Sequence, residues 1–481
     1  MRTINLKSIL KIVGLILIIA SLSFLLCIPV ALIYSEPVIP FIFASVTAMV
    51  PGLLLYFFVR SPLHEKVTTK EGYLSVTIGW LILIFSGTLP YVFTGEIKGY
   101  LNIAFETFSG YTTTGSSILR DVEALTKSLL FWRALTCWIG GIGIILLVVI
   151  ILPTLRVGGY NLFSLEASLK EKIMPKTKSI AYTVLFIYLG ITIIEIILLT
   201  SGGMNLFDSI CHTFAAVATA GFSTKNNGIA GYSPYIQYVS GIFMFLSATS
   251  YVVYYHLLKR NFRKLTSYEE LWFYIFFTTA AVVVVTFILF TGTERSFEES
   301  FRHAMYQVIS QISCTGLATN DYTVWPVTAM FIMFLLMFAG GMTGSTTGGI
   351  KMARHLISLK NFKSIFTRLL HPNAVVPVTL NGKIIPESTK ELMITFIQLY
   401  LIIFVVGTLI MVISGIPILE SAGAAGTSMA GIGPGLGASG NMGNFAHFNA
   451  IGKLTMVSLM FLGRLELIVV LALFTRSFWK N

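Results

Sequence analysis

Four short segments of this 481-residue chain each end in a glycine turn: Thr113-Thr114-Gly115, Thr219-Ala220-Gly221, Cys314-Thr315-Gly316 and Gly431-Ile432-Gly433. Glycine lets backbone carbonyls approach an ion closely. Rings of such carbonyls, helped by threonine hydroxyls, can replace the water around a dehydrated alkali cation. The central glycines are 106, 95 and 117 residues apart, and two long apolar runs separate each from the next. A period of that length predicts a repeated membrane unit rather than a solenoid. Four such turns around one axis would form the ring of oxygens from which ion filters are built.

The elements that must position these turns follow from hydropathy. Runs long enough to cross roughly 30 Å of hydrocarbon lie near 12–34, 38–59, 73–94, 134–155, 179–200, 236–258, 271–292, 326–350, 392–414 and 454–474. Shorter apolar stretches at 101–112, 205–218, 300–313 and 418–430 run directly into the turns. They read as half-helices that enter the membrane and turn back, which is tolerated only where protein or a water-filled cavity covers the backbone. The predicted fold is an all-α polytopic membrane protein of about ten transmembrane helices. Four parallel helix–pore-helix–helix repeats surround one central pore, and two extra N-terminal helices stand outside them. The corresponding units are 1–71, then pore repeats at 72–178, 179–270, 271–390 and 391–481. The short helices point their C-termini, each carrying roughly −0.5 of an elementary charge, at the filter and so favour a cation there. Glu106, Asp208 and Glu420 fall in the first halves of these helices. They are expected either to complement the N-terminal dipoles or to enrich cations at the mouth.

Composition agrees with this class. The chain is 55% hydrophobic and 11% charged, with mean hydropathy +0.82, against roughly 25% charged residues in soluble domains. The run 12–34 is too long for the apolar core of a signal peptide and lacks an evident cleavage site, so it reads as the first span. With the N-terminus inside, the inner segments 1–11, 60–71, 154–178, 259–270, 351–391 and 476–481 hold 24 of the 33 Lys+Arg residues and 8 of the 21 acids. That bias sets N- and C-termini in the cytoplasm and the four turns outside. The net charge of +12 is therefore a topology signal, spread over every inner loop, and gives no support to nucleic-acid binding. The basic segment 351–391 is long enough to dock a soluble protein or to contact anionic lipid. Cys27, Cys137, Cys211 and Cys314 show no zinc or disulfide spacing.

A second feature follows the third turn. Gly340, Gly341, Gly344, Ser345, Thr346, Thr347, Gly348 and Gly349 belong to a ten-residue stretch with five glycines and four hydroxyl residues. It cannot remain a good helix at roughly 1 kcal/mol per glycine. A phosphate-binding loop would need Gly-Lys-Ser/Thr after a strand, and here Gly349 is followed by Ile350 and Lys351 inside an apolar run. A structural kink or a movable plug below the filter remain. Arg464 and Glu195 sit mid-span, where an ionisable group must face protein or water. Arg464 reads either as half of an ion pair with Glu466 or Glu195, or as an electrostatic barrier lining the pore. Glu195 reads as a partner for a lysine or a cap for a backbone group. His212 and His303 fit packing better than metal ligation. No His-Glu-x-x-His run or Gly-x-Ser-x-Gly elbow points to an enzyme.

The segments FETFSGYTTTGSS (105–117), HTFAAVATAGFST (212–224), QVISQISCTGLAT (307–319), AGIGPGLG (430–437), WIGGIGIILLVVIILP (138–153), AGGMTGSTTGGIKMAR (339–354) and FLGRLELIVVLALF (461–474) resemble the bacterial TrkH/TrkG/KtrB superfamily of potassium-translocating subunits. The two extra N-terminal spans resemble the TrkH/TrkG branch. The resemblance implies potassium uptake across the cell inner membrane, with K+ (and Rb+) coordinated at the filter residues and no tightly bound cofactor. It implies that the glycine loop and Arg464 form a gate. It also implies a homodimer in the lipid bilayer that binds a cytoplasmic nucleotide-sensing regulatory subunit of the TrkA type. The third turn carries Cys314 and Leu317 where many members have Thr and Phe, a tolerable change if the position contributes mainly its carbonyl. One central glycine per turn, rather than a TVGYG-type run, predicts fewer ion sites and a preference for potassium rather than strict exclusion of other alkali ions. A proton- or sodium-coupled symporter is the alternative, since broken helices at the midplane also suit transporters.

Overall fold

A computed structural model describes residues 5–59, 68–146 and 177–479. The segments read as inner at 1–11, 60–71, 154–178 and 476–481, and the end of the expected span at 134–155, lie wholly or partly outside the described residues. The described residues are built of helices, with one two-stranded antiparallel hairpin among them at Thr379–Leu380 and Lys383–Ile384. Its register pairs Thr379 with Ile384 and Leu380 with Lys383. Asn381 and Gly382, both at positive φ (51° and 75°), form its tip, the usual chemistry of a two-residue hairpin turn. The segment 351–391 is thus a folded unit, since the helix Met352–Leu370 precedes the hairpin.

Seven helices among the described residues are long and apolar enough to cross a membrane, or eight if one bent pair is counted as a span. The expected count of about ten differs because three expected spans are broken. The run 236–258 divides into Pro234–Ser247 and Tyr251–Leu258, bent by 95°. The run 326–350 is helical over Val327–Leu336 and then enters the glycine stretch. The last run divides into Ala450–Arg464 and Leu467–Ala472, with Glu466 between them at φ 61°. Breaking a helix at membrane depth frees backbone groups that must find partners. Here the breaks serve one another: Met342 N–H donates to Ala248 O (2.9 Å), and Tyr251 N–H donates to Gly344 O (3.1 Å).

The N-terminal helices Leu6–Leu25 and Ile39–Phe58 cross closely where Gly14 faces Gly52. A methyl on Gly14 would lie 2.9 Å from the Gly52 carbonyl oxygen, the small-residue contact by which helices associate in lipid. Ser21 and Ser45 bond across the same interface (2.8 Å). The main apolar core extends from these helices through Trp80, Trp132 and Tyr188 to Met460 and Leu467. Outward-facing residues such as Phe57, Phe186, Phe276 and Phe287 are largely exposed, as expected of surfaces that face hydrocarbon. The chain is an integral membrane protein.

Candidate cation pathway

Four short helices, Tyr100–Tyr111, Leu206–Val217, Phe297–Ile312 and Ile418–Ala430, lead into the four turns. Asn205 caps the second by accepting from the Asp208 amide (2.8 Å), and Ser296 with Glu299 forms a capping box on the third. All four end in the same way. The amides of Thr114, Ala220, Thr315 and Ile432 reach back five residues to the carbonyls of Ser109, Ala215, Ser310 and Thr427 at 2.8–3.1 Å. This is the long bond of a Schellman cap, which requires a left-handed residue just before the donor. Thr113 (φ 51°), Thr219 (54°), Cys314 (56°) and Gly431 (70°) supply it. Three of these are not glycine and store strain of order 1–3 kcal/mol each, a cost typical of functional backbone. The glycine two residues on is again at positive φ in every turn: Gly115 (80°), Gly221 (73°), Gly316 (78°) and Gly433 (110°).

The turns close into a ring. A methyl on Gly115 would overlap the Ala220 carbonyl oxygen, one on Gly221 that of Thr315, and one on Gly316 that of Ile432. The circuit closes at Gly433, where a methyl would lie 2.9 Å from Thr114 O. All four central glycines border one depression that opens to the outside of the fold, with Ser116, Phe222 and Lys225 among its other lining residues. The turn amides are spent on the caps. Among the described residues, no hydrogen bond reaches the carbonyl oxygens of Thr113, Thr114, Thr219, Ala220, Cys314, Thr315, Gly431 or Ile432. Buried carbonyls ordinarily find donors, so oxygens left free around a ring fit a dehydrated cation. The Cys314 thiol is fully buried and directed back toward Ile312 O (3.8 Å).

Buried polar groups brace the segments that leave the turns. Asp208 and Glu420 stand in the first turns of their short helices, where an acid complements the dipole, whereas Glu106 lies further along its helix and does something else. Glu106 is fully buried and pairs with Arg133 (2.7 Å). It also accepts from the Ser117 hydroxyl (2.9 Å) and the Ile118 amide (3.1 Å). Arg133 crosses to the next turn, donating to Ser223 O (3.1 Å) and stacking over the Phe222 ring (3.8 Å). Asp208 accepts from Thr224 and Tyr232 (2.5 and 2.9 Å), and His212 bonds Ser223 (2.9 Å). His303 bonds Thr319 (3.1 Å) and Tyr322 donates to Gly435 O (2.6 Å). Glu420 pairs with His447 (2.6 Å). Among the described residues no His/Cys/Asp/Glu cluster could hold a metal ion. At the outer rim, Glu123 accepts from the Asn226 amide (3.2 Å) and from Lys225 (3.1 Å), and these contacts hold its carboxyl below the ordinary range.

The glycine stretch lies beneath the ring. A methyl on Gly348 would overlap the Ala430 carbonyl, the last residue of the fourth short helix. Thr346 donates to Val217 O (3.3 Å), at the end of the second short helix, and to Ser247 O (3.2 Å). Gly340, Gly344 and Gly349 have positive φ, and Gly341 packs near Ala248 O. Ser345 and Thr347 bond each other (2.8 Å). Arg464 ends its helix and donates to Thr346 O (2.8 Å) and Gly140 O (3.3 Å). It pairs with neither acid named for it from sequence. Glu466 instead binds Arg354 (2.9 Å). Glu195 is fully buried, and neither carboxyl oxygen has a hydrogen-bond partner among the described residues. Sequence reasoning singles out neither Arg133 nor Glu270. An arginine in an apolar run and an acid opening one were the available signals.

Comparison with known proteins places this geometry in a family. A family model described as TrkH, cation transport protein, matches residues 41–480. The Trk system potassium uptake protein TrkH of Escherichia coli K12 is 33% identical over 483 residues, covering 99% of both chains. TrkG of the same strain is 30% identical over 489 residues, covering 100% of this chain. The crystal structure of the potassium transporter TrkH from Vibrio parahaemolyticus superposes with a TM-score of 0.91 at 28% identity, over 99% of this chain and 100% of that one. The chain belongs to the TrkH family of cation transport proteins.

Proposed function

We propose that this protein takes up potassium across the bacterial cytoplasmic membrane through the ring of four turns, with the glycine loop and Arg464 as a gate below it. The observation that carries the reading is the closed circuit of glycines, each against a carbonyl of the next turn, around one outward depression. The potassium uptake named for its relatives supports the choice of ion. The four short helices direct their C-terminal ends, and so partial negative charge, at the ring. In this reading 1–71 is a separate two-helix unit, and 72–178, 179–270, 271–390 and 391–481 are four pore repeats. Both termini are cytoplasmic, and the active form is a homodimer that docks a TrkA-type nucleotide-binding subunit.

Flux of potassium, rubidium, sodium and lithium into proteoliposomes tests the filter. Potassium and rubidium should exceed sodium, and Gly115→Ser should abolish the preference. A second reading, proton- or sodium-coupled symport, is favoured by the buried carboxyl of Glu195. It requires flux that collapses without a proton or sodium gradient and that Glu195→Gln uncouples.

A further inference from the structure

We propose that Glu270 is the latch that holds the glycine loop shut, a positioning residue acting on the gate rather than on the ion. The inference rests on reading that loop as the gate. Glu270 is the second residue of the helix Glu269–Gly292 and is fully buried. Its Oε1 accepts from two amides, Thr343 N–H (2.6 Å) and Ala353 N–H (3.2 Å). Thr343 lies on the entry limb of the loop, and Ala353 is the second residue of the helix Met352–Leu370 that leaves it. One carboxyl oxygen therefore ties together the two ends of the non-helical segment. Two backbone bonds lie beside it, from Lys351 N–H to Ala339 O (3.1 Å) and from Met352 N–H to Gly341 O (3.0 Å).

The chemistry suits a latch. Hydrogen bonds to a carboxylate are about twice as strong as neutral ones, and the first turn of a helix presents its amides to negative charge. The second oxygen, Oε2, has no partner among the described residues. The two amides thus supply the hydrogen bonds that compensate burial of this group. Moving the loop aside breaks the Thr343 bond, while Ala353 in the exit helix holds the carboxyl in place to receive it again, so the position of one side chain biases the whole segment.

The same corner of the fold offers a lever. Lys360, on the helix leaving the loop, pairs with Glu269 and donates to Thr379 O (2.8 Å) in the hairpin. Asn381 at the hairpin tip accepts from the Glu269 amide (2.9 Å). The hairpin, the helix Met352–Leu370 and the start of Glu269–Gly292 are therefore joined next to the latch, and force applied to the hairpin reaches Glu270 through one residue.

The test is potassium and sodium flux through the purified full-length chain in proteoliposomes, without any regulatory partner. Glu270→Ala should raise potassium flux several-fold with the potassium/sodium ratio unchanged. Glu270→Gln, which keeps an acceptor oxygen but loses the charge, should lie between. Arg464→Ala serves as the control for the gate. If Arg464→Ala raises flux and Glu270→Ala does not, the latch is overturned and the gate stands. If neither raises flux, the gate reading falls. A rise accompanied by loss of ion preference also overturns the latch, because it reports general loosening. Should Glu270→Ala fail to purify as a folded protein, Glu270→Gln decides the matter, and wild-type flux in that variant counts against the latch.

Discussion

Arg464 and Thr346, 118 positions apart, are joined by a 2.8 Å hydrogen bond from the guanidinium to a carbonyl oxygen of the glycine loop. The arginine is buried, and its second hydrogen bond is to another carbonyl, Gly140 O, at 3.3 Å. A buried cation with no carboxylate partner among the described residues is costly at this depth. Hydrogen bonds from charged groups are worth about 1.5–3 kcal/mol, enough to shift a two-state segment by roughly tenfold or more. Arg464→Ala should therefore raise potassium flux by about that factor while leaving ion preference intact. Arg464→Lys, unable to bridge two carbonyls with a planar fork, should fall between. Unchanged uptake in the alanine variant would show that the arginine is only structural.

The four ring glycines should not tolerate alanine equally. A methyl at Gly115, Gly221 or Gly316 overlaps the facing carbonyl oxygen, whereas at Gly433 it stands 2.9 Å away. Overpacking a tight site costs about 1–3 kcal/mol, and the positive φ adds to this at every position. Potassium/sodium flux ratios should fall in Gly115→Ala, Gly221→Ala and Gly316→Ala, and least in Gly433→Ala. An equal loss at all four would mean that strain in φ, and not the neighbouring carbonyl, sets the tolerance.

Glu106 and Arg133 should behave as a unit. The pair is buried and touches the segments that follow both the first and second turns. Removing one partner strands a buried charge, at about 3–5 kcal/mol. Arg133→Met or Glu106→Leu should each lower thermal stability in detergent and increase sodium passage. The double variant should recover much of the lost stability, because no unpaired charge remains. Additive losses in the double variant would show that the two side chains act separately.

These cases show what the sequence made legible. The turns were visible because Gly115, Gly221, Gly316 and Gly433 recur at a regular spacing between apolar runs. The glycine loop announced itself by composition. The breaks at Ala248 and at Glu466 were hidden, since a hydropathy window sees an unbroken apolar run where the backbone turns to satisfy a neighbouring break. The roles of Glu106 and Glu270 were hidden for a different reason. Their donors lie 11 to 83 residues away in the chain, and local charge rules assign an acid near a helix start to the dipole first. Arg464 was recognisable as anomalous, but its partners are carbonyls, which leave no mark in sequence.

The third turn offers the sharpest check on whether the ring works through its backbone. Cys314 has φ 56°, close to Thr113 at 51° and Thr219 at 54° in the matching positions. Its thiol is buried and turned toward Ile312 O. A threonine is thus already accommodated at this conformation in two of the four turns, and a swap of similar volume costs less than about 1.5 kcal/mol where space allows. Cys314→Thr should fold normally and keep the wild-type potassium/sodium ratio. Cys314→Gly should also keep it, because glycine relieves the left-handed strain and leaves the carbonyl in place. Loss of preference in both variants, measured by flux in proteoliposomes, would assign the thiol itself a part in ion recognition and make this ring chemically unlike one built from carbonyls alone.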